Sequence, residues 1–214
     1  KRQVLPSIVM MIFTSIYGVV DGLFVSNFAG KTAFAAINLI MPILMGLSAL
    51  GFMIGTGGSA FVSKTLGEGK KELANQYFSM LVTIAAIGGF VLSVLSFIFM
   101  RRIVMAFGAA GDLIDYCTLY GRISCISLTA FMLQNVFQSF FVAAGKPQLG
   151  LKVIVAAGCT NIVLDALFIS VLHFGIAGAA FATMTSEFIG GLLPVVYLSL
   201  IHISEPHETL RHLV

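Results

Sequence analysis

Charge is what this sequence has least of. Only 10% of its 214 residues are Asp, Glu, Lys or Arg, against ~25% in ordinary soluble domains. Hydrophobic residues make up 58%, and the mean hydropathy is +1.03. A domain of roughly 150–300 residues still leaves ~25–30% of its unfolded-chain surface in water. That apolar excess excludes a soluble globular protein, a disordered chain and a nucleic-acid-binding module. Tryptophan is absent, so any interfacial belt must rest on tyrosine. The three cysteines, Cys117, Cys125 and Cys159, form no CxxC or Cys/His metal pattern and read as buried thiols. A net charge of +3 is too small to imply a polyanionic partner. The chain starts at Lys1, with no small-residue cleavage pattern after its first apolar run. It is expected to be clipped at its start and to carry no signal peptide.

What remains is an integral membrane protein. A spanning helix needs ~20 apolar residues, so the chain holds at most about eight spans, and six once loops are counted. Six apolar runs are present: about Val4–Phe28, Ala33–Val62, Tyr77–Met100, Tyr116–Ala144, Leu149–Leu172 and Ile176–Ile201. They lack strand-like alternation and are too long for barrel strands, so each reads as a helix. The breaks between them are polar, notably Ala29-Gly30-Lys31-Thr32, the charged stretch Lys64 to Asn75, and Gly145-Lys146-Pro147. The expected fold is an all-α bundle of six transmembrane helices over residues 1–201. Residues 202–214 read as a polar tail, either a linker or a non-native extension.

With six spans, both ends share a side. That side holds Lys1, Arg2, Lys64, Lys70, Lys71, Lys146, Lys152 and Arg211, while the other holds Lys31, Arg101 and Arg102. The positive-inside rule therefore places the N-terminus in the cytoplasm. Arg101-Arg102 dissents, softened by Asp112 and Asp115, and Arg122 falls within the fourth span.

Three acids fall inside spans: Asp21, Asp165 and Glu187. A carboxylate at the bilayer centre costs ~2.5–3.5 kcal/mol on insertion scales, so such a residue is expected to face a cavity and carry function. Asp21 lies 16 residues into the first span and Asp165 16 into the fifth, ~24 Å along each axis. Thr183 sits ~10 Å down the sixth, a few ångströms below both. Asn161 precedes Asp165 by one turn on the same face, and Glu187 follows Thr183 by one turn. Two carboxylates, a carboxamide and a hydroxyl can thus converge in the outer half of the membrane. Oxygens of this kind suit a hard monovalent cation such as Na⁺. Two adjacent carboxylates in low dielectric also repel, and one proton between them relieves it. H⁺ and Na⁺ compete for the same oxygens, and the residues do not choose between them.

Other features have plainer readings. The small residues Gly51, Gly55, Gly57, Gly58, Ser59 and Ala60 lie in an apolar span, and Gly69-Lys70 lacks the glycine five positions earlier that a phosphate loop needs. They read as close helix packing, as do Gly175, Gly178, Ala179 and Ala180. Asn38, Gln134, Asn135 and Gln138 are expected to hydrogen-bond between helices first and to line a cavity second. The methionines and phenylalanines read as lipid-facing or packed, a few lining a cavity, and His173 as solvated in a short outer loop.

Five segments in order resemble the multidrug and toxic compound extrusion (MATE) transporters. They are Pro6 through Tyr17 to V-V-D-G-L-F-V-S around Asp21; T-G-G-S at Thr56–Ser59 with L-G-E-G-K-K-E-L-A at Leu66–Ala74; A-A-G-K-P at Ala143–Pro147; N-I-V-L-D-A-L-F-I at Asn161–Ile169; and G-I-A-G-A-A-F-A-T at Gly175–Thr183. The resemblance covers about residues 1–201 and implies twelve helices in two lobes, of which this chain is the amino-terminal one. It implies a cation-coupled antiporter in the cytoplasmic membrane that exports small organic cations against H⁺ or Na⁺, with no cofactor and no enzymatic activity. The cation or proton site would be Asp21, Asn161, Asp165 and Thr183, with Na⁺ the candidate metal. Tyr17 and Glu187 are accessory candidates, and Pro6 matches a helix-bending proline. The expected partners are the lipid bilayer, organic cations and a carboxy-terminal lobe. The alternatives are a related lipid-linked-oligosaccharide flippase, disfavoured because only Arg122 is a clearly intramembrane base, and a non-transporting scaffold. An intramembrane enzyme would need HExxH or paired-Asp motifs, which are missing.

Overall fold

A computed structural model describes residues 4–204. Residues 205–214 of the expected tail, and the side chain of Pro6, lie outside that description. The apolar runs become helices α1 (Val4–Phe24), α2 (Lys31–Leu47), α3 (Ala49–Gly67), α4 (Lys71–Ala106), α5 (Asp112–Ala143), α6 (Pro147–Asp165) and α7 (Gly175–Ser204). No strand is present among the described residues. Two short π-helical segments extend α1 and α6, at Val25–Ala29 and Ala166–Val171.

The six expected spans are present, with one difference. The second run is not one helix. It is bent by 42° between α2 and α3, at Ser48, whose hydroxyl turns back to the Met45 carbonyl at 3.0 Å. Pro42 lies inside α2, and a proline cannot donate to the helix ladder. Five helical stretches are long and apolar enough to cross a membrane alone, and the bent pair makes six.

α5 is the central post. It packs against α4, α7, α3 and α2, and Tyr120, Leu128, Met132 and Val136 along it are almost wholly buried. Its first half joins a core with Ile40, Met100, Val104 and Ile169. Its second half joins another with Val62, Ala85, Phe137 and Phe140, where Phe78 meets Phe140 edge-on at 4.8 Å. Small residues set the α3–α5 distance. A Cβ on Gly51 would lie 2.9 Å from the Met132 Cα, and one on Gly55 3.0 Å from the Asn135 carbonyl oxygen. Gly57 has open space and Ala60 is exposed, so the packing reading holds for Gly51, Gly55, Gly58 and Ser59 and not for these two; Gly175 likewise meets open space.

The outer faces are apolar. Ile87, Phe90, Ile98, Val163 and Val171 are each more than half exposed, as a bundle solvated by lipid requires. Cys117 and Cys125 are buried as expected, but Cys159 is exposed on α6: it points away from the helices that α6 packs on. His173 stands exposed in the α6–α7 turn with φ 54°.

Candidate functional site

Asp21 and Asp165 meet where α1 packs on α6. α1 runs along α6, and α6 along α7. Contact between the first two depends on Gly158, where a Cβ would meet the Phe13 ring at 2.6 Å and the Tyr17 ring at 3.2 Å. This close approach brings Asp21 of α1 to Asp165 of α6, and the two carboxyl groups lie within hydrogen-bonding reach of each other. Asp165 is the last residue of α6, and the π-helical turn starts at the next residue. Such widened turns recur at functional sites because they re-aim side chains without ending the helix.

Burial is deep. Asp165 is 0% exposed, Asn161 2% and Asp21 8%. Asp21 Oδ1 and both carboxylate oxygens of Asp165 are buried with no hydrogen-bond partner among the described residues. Buried polar atoms are nearly always paired, and these three oxygens are not.

A cavity of about 930 Å³ opens beside the pair. Asp21, Tyr17, Asn161, Thr183 and Glu187 all line it, and Asp165 does not. The expectation that each intramembrane acid faces a cavity is therefore corrected for Asp165, which lies sealed in protein. Asn38, Gln134, Asn135 and Gln138 all line the cavity, the use ranked second from sequence. Asn38 donates within its own helix, to the Phe34 carbonyl at 2.8 Å. Phe34, Phe52, Phe131, Met41 and Met45 supply apolar wall.

Two contributors were not foreseen. Tyr120 is wholly buried on α5, its hydroxyl 3.3 Å from that of Thr183. Ser127, one helix over from α7, has its hydroxyl 2.6 Å from Glu187 Oε2. The same hydroxyl lies 3.1 Å from the Ser124 carbonyl. A hydroxyl has one proton to give, so it bonds an ionised Glu187 or, if Glu187 itself donates, the carbonyl. Neither residue is charged, and a search of spans for charge passes over both.

No group of three or more His, Cys, Asp or Glu side chains that could hold a metal is present among the described residues. Any Na⁺ site must therefore mix carboxylate, carboxamide and hydroxyl oxygens. Of the four residues expected to do this, Asp21 and Asp165 lie together, Asn161 precedes Asp165 by one turn, and Asn161 and Thr183 line the cavity with Asp21 while Asp165 does not.

The MatE family profile matches residues 6–167. The chain belongs to the MATE family. Among its relatives is the multidrug export protein MepA of Staphylococcus haemolyticus, 29% identical over 196 residues, a match covering 91% of this chain and 43% of that protein. MepA of Staphylococcus saprophyticus is 24% identical, with 90% and 43% covered. Among solved structures, a MATE protein in a bent conformation superposes with a TM-score of 0.84 at 27% identity, covering 92% of this chain and 44% of that one. An outward-facing multidrug resistance MATE transporter of the MOP superfamily gives a TM-score of 0.85 at 27% identity, covering 91% and 43%. The chain thus spans less than half the length of these MATE relatives and has the fold of one helical membrane lobe.

Proposed function

We propose that this chain forms one lobe of an antiporter in the cytoplasmic membrane, its N-terminus cytoplasmic, which exports organic cations against an inward flow of H⁺ or Na⁺. One observation carries the reading: Asp21 and Asp165 are buried in contact, with three of their oxygens unpartnered. Two unit charges 4 Å apart repel by about 4 kcal/mol at an effective dielectric of 20. A proton shared between the acids removes that repulsion. So does Na⁺, with Asn161 and Thr183 supplying further hard oxygens.

The cavity suits the cargo. Its volume is in the range of drug-sized pockets. Its phenylalanines and methionines present adaptable, π-rich surface to varied amphiphilic cations, and Glu187 supplies a negative charge. No lysine or arginine is among its lining residues, which disfavours a flippase for anionic lipid-linked sugars. Asp21 belongs both to the cavity wall and to the acid pair. Cargo and coupling ion therefore act on one charge, and loading the pair with a cation weakens the hold on a positive cargo. Coupling needs only that the ion favour one conformation over the other, and α1, which runs into a π-helical turn on the outer side of Asp21, is the element placed to change.

A second lobe would close the cavity, and relatives of about twice this length support that arrangement. The test uses the complete transporter carrying this lobe in membrane vesicles. Asp165→Asn should abolish ion-driven efflux of an ethidium-like dye while the protein stays in the membrane. Efflux at the wild-type rate would rule the acid pair out as the coupling site.

A further inference from the structure

The strongest feature outside the cavity is Arg122. It is exposed on α5, flanked one turn either side by Leu119 and Ile126, which are 46% and 53% exposed. Across the seam on α4, Val94 and Ile98 are 42% and 58% exposed. This face is apolar and lipid-facing, and α4 contributes nothing to the cavity wall. An arginine here sits among lipid chains.

Its depth follows from helix length. α4 and α5 have 36 and 32 residues, ~54 and ~48 Å at 1.5 Å per residue. Both exceed the ~30 Å hydrocarbon core, so each helix end projects ~9–12 Å. Arg122 stands ten residues beyond Asp112, ~15 Å from the α5 end. It lies a few ångströms inside the hydrocarbon, where a long basic side chain snorkels back to the headgroup level.

The guanidinium is anchored, and it lacks a counter-charge. Its Nε donates to the Phe97 carbonyl at 3.3 Å, and it lies 5.6 Å from the Phe97 ring centre. Among the described residues no carboxylate pairs with it. The nearby Asp115 is taken by Arg101, Nη1 to Oδ1 at 2.7 Å. Arg101 is one turn beyond Phe97 on the same face of α4, so it stands directly above Arg122 on the seam. The ion pair cancels itself, leaving one net positive charge below it with its Nη donors unassigned. At that depth the anion that lipid supplies is a phosphate, and arginine's planar fork matches phosphate oxygens.

We propose that the α4–α5 seam at Arg122 binds the phosphate of an anionic phospholipid, in the leaflet opposite the Lys64–Lys71 loop. One unpaired charge fits a single phosphodiester such as that of phosphatidylglycerol. The site is separate from the acid pair and stands or falls without the transport reading.

Native mass spectrometry of the purified chain tests this, with phosphatidylglycerol, its uncharged diacylglycerol and inorganic phosphate as probes. Wild type should retain phosphatidylglycerol at least fivefold over diacylglycerol, a comparison that needs no variant. Arg122→Gln should erase that preference. Lys31→Gln, a charge loss on the same side of the membrane but off the seam, should leave it intact. Inorganic phosphate in excess should not displace the lipid. Equal retention of the two lipids by wild type, unchanged retention by Arg122→Gln, equal loss in Lys31→Gln, or full displacement by inorganic phosphate would each overturn the proposal. Unchanged retention by Arg122→Gln would point instead to a protein carboxylate as the arginine's partner.

Discussion

Replacing Asp21 by Asn should make the lobe more stable and unable to couple. With neither proton nor Na⁺ supplied, the native pair holds two negative charges in contact, and three of their buried oxygens have no donor. The Asn carboxamide removes one charge and offers Asp165 two N–H donors. The relieved repulsion is about 4 kcal/mol at 4 Å and an effective dielectric of 20. That figure is a ceiling, because the native side chains can relax apart. At roughly 2–4 °C per kcal/mol for a domain of 150–250 residues, a gain of several degrees is expected. The assay is thermal unfolding of the purified chain in alkaline, Na⁺-free buffer, repeated with Na⁺ replacing choline at constant ionic strength. Wild type should gain stability as the cation is added, closing the gap, because a ligand at 100 times its Kd stabilises by about 2.7 kcal/mol. The variant should gain nothing. A gap of the same size with and without the cation, or a variant less stable than wild type throughout, would refute the reasoning.

Two further outcomes follow from the same geometry. Glu187→Gln keeps the shape of the cavity wall and its contact with Ser127 while removing charge. It should weaken binding of a cationic dye about tenfold, leave an uncharged analogue unaffected, and keep the cation-dependent stability; equal loss for both dyes in fluorescence titration would exclude a charge role. At Gly191 an added Cβ would overlap the Ala130 carbonyl, backbone that cannot swing aside, whereas Gly57 faces open space. Gly191→Ala should destabilise by ~1–3 kcal/mol through overpacking and Gly57→Ala should be neutral or slightly stabilising; similar melting points for the two would show that α5 and α7 are not in such close contact.

Hydropathy made the spans legible, because a bilayer demands long apolar runs. The shared depth of Asp21 and Asp165 was legible too, since helix rise and span ends fix it. What hydropathy cannot register is shape within an apolar run. The 42° bend at Ser48 changes direction, and the π-helical turns after Phe24 and Asp165 change helical geometry, without changing composition. Nor does charge counting see neutral partners, so Tyr120 and Ser127 went unmarked although they hold Thr183 and Glu187. Cys159 and the four carboxamides show the same limit. Residue type says what a side chain can do, and only the helix's rotation decides whether it faces lipid, protein or the cavity.

The central claim is that Asp165 and Asp21 hold a cation that a positive cargo displaces. The direct measurement is release of that cation, as protons in weakly buffered solution or as ²²Na⁺, when an ethidium-like dye is added to the complete transporter carrying this lobe. Release in proportion to bound dye from the wild type, and none from Asp165→Asn, is the predicted result. Dye binding without release of either cation, or equal release from Asp165→Asn, would contradict it.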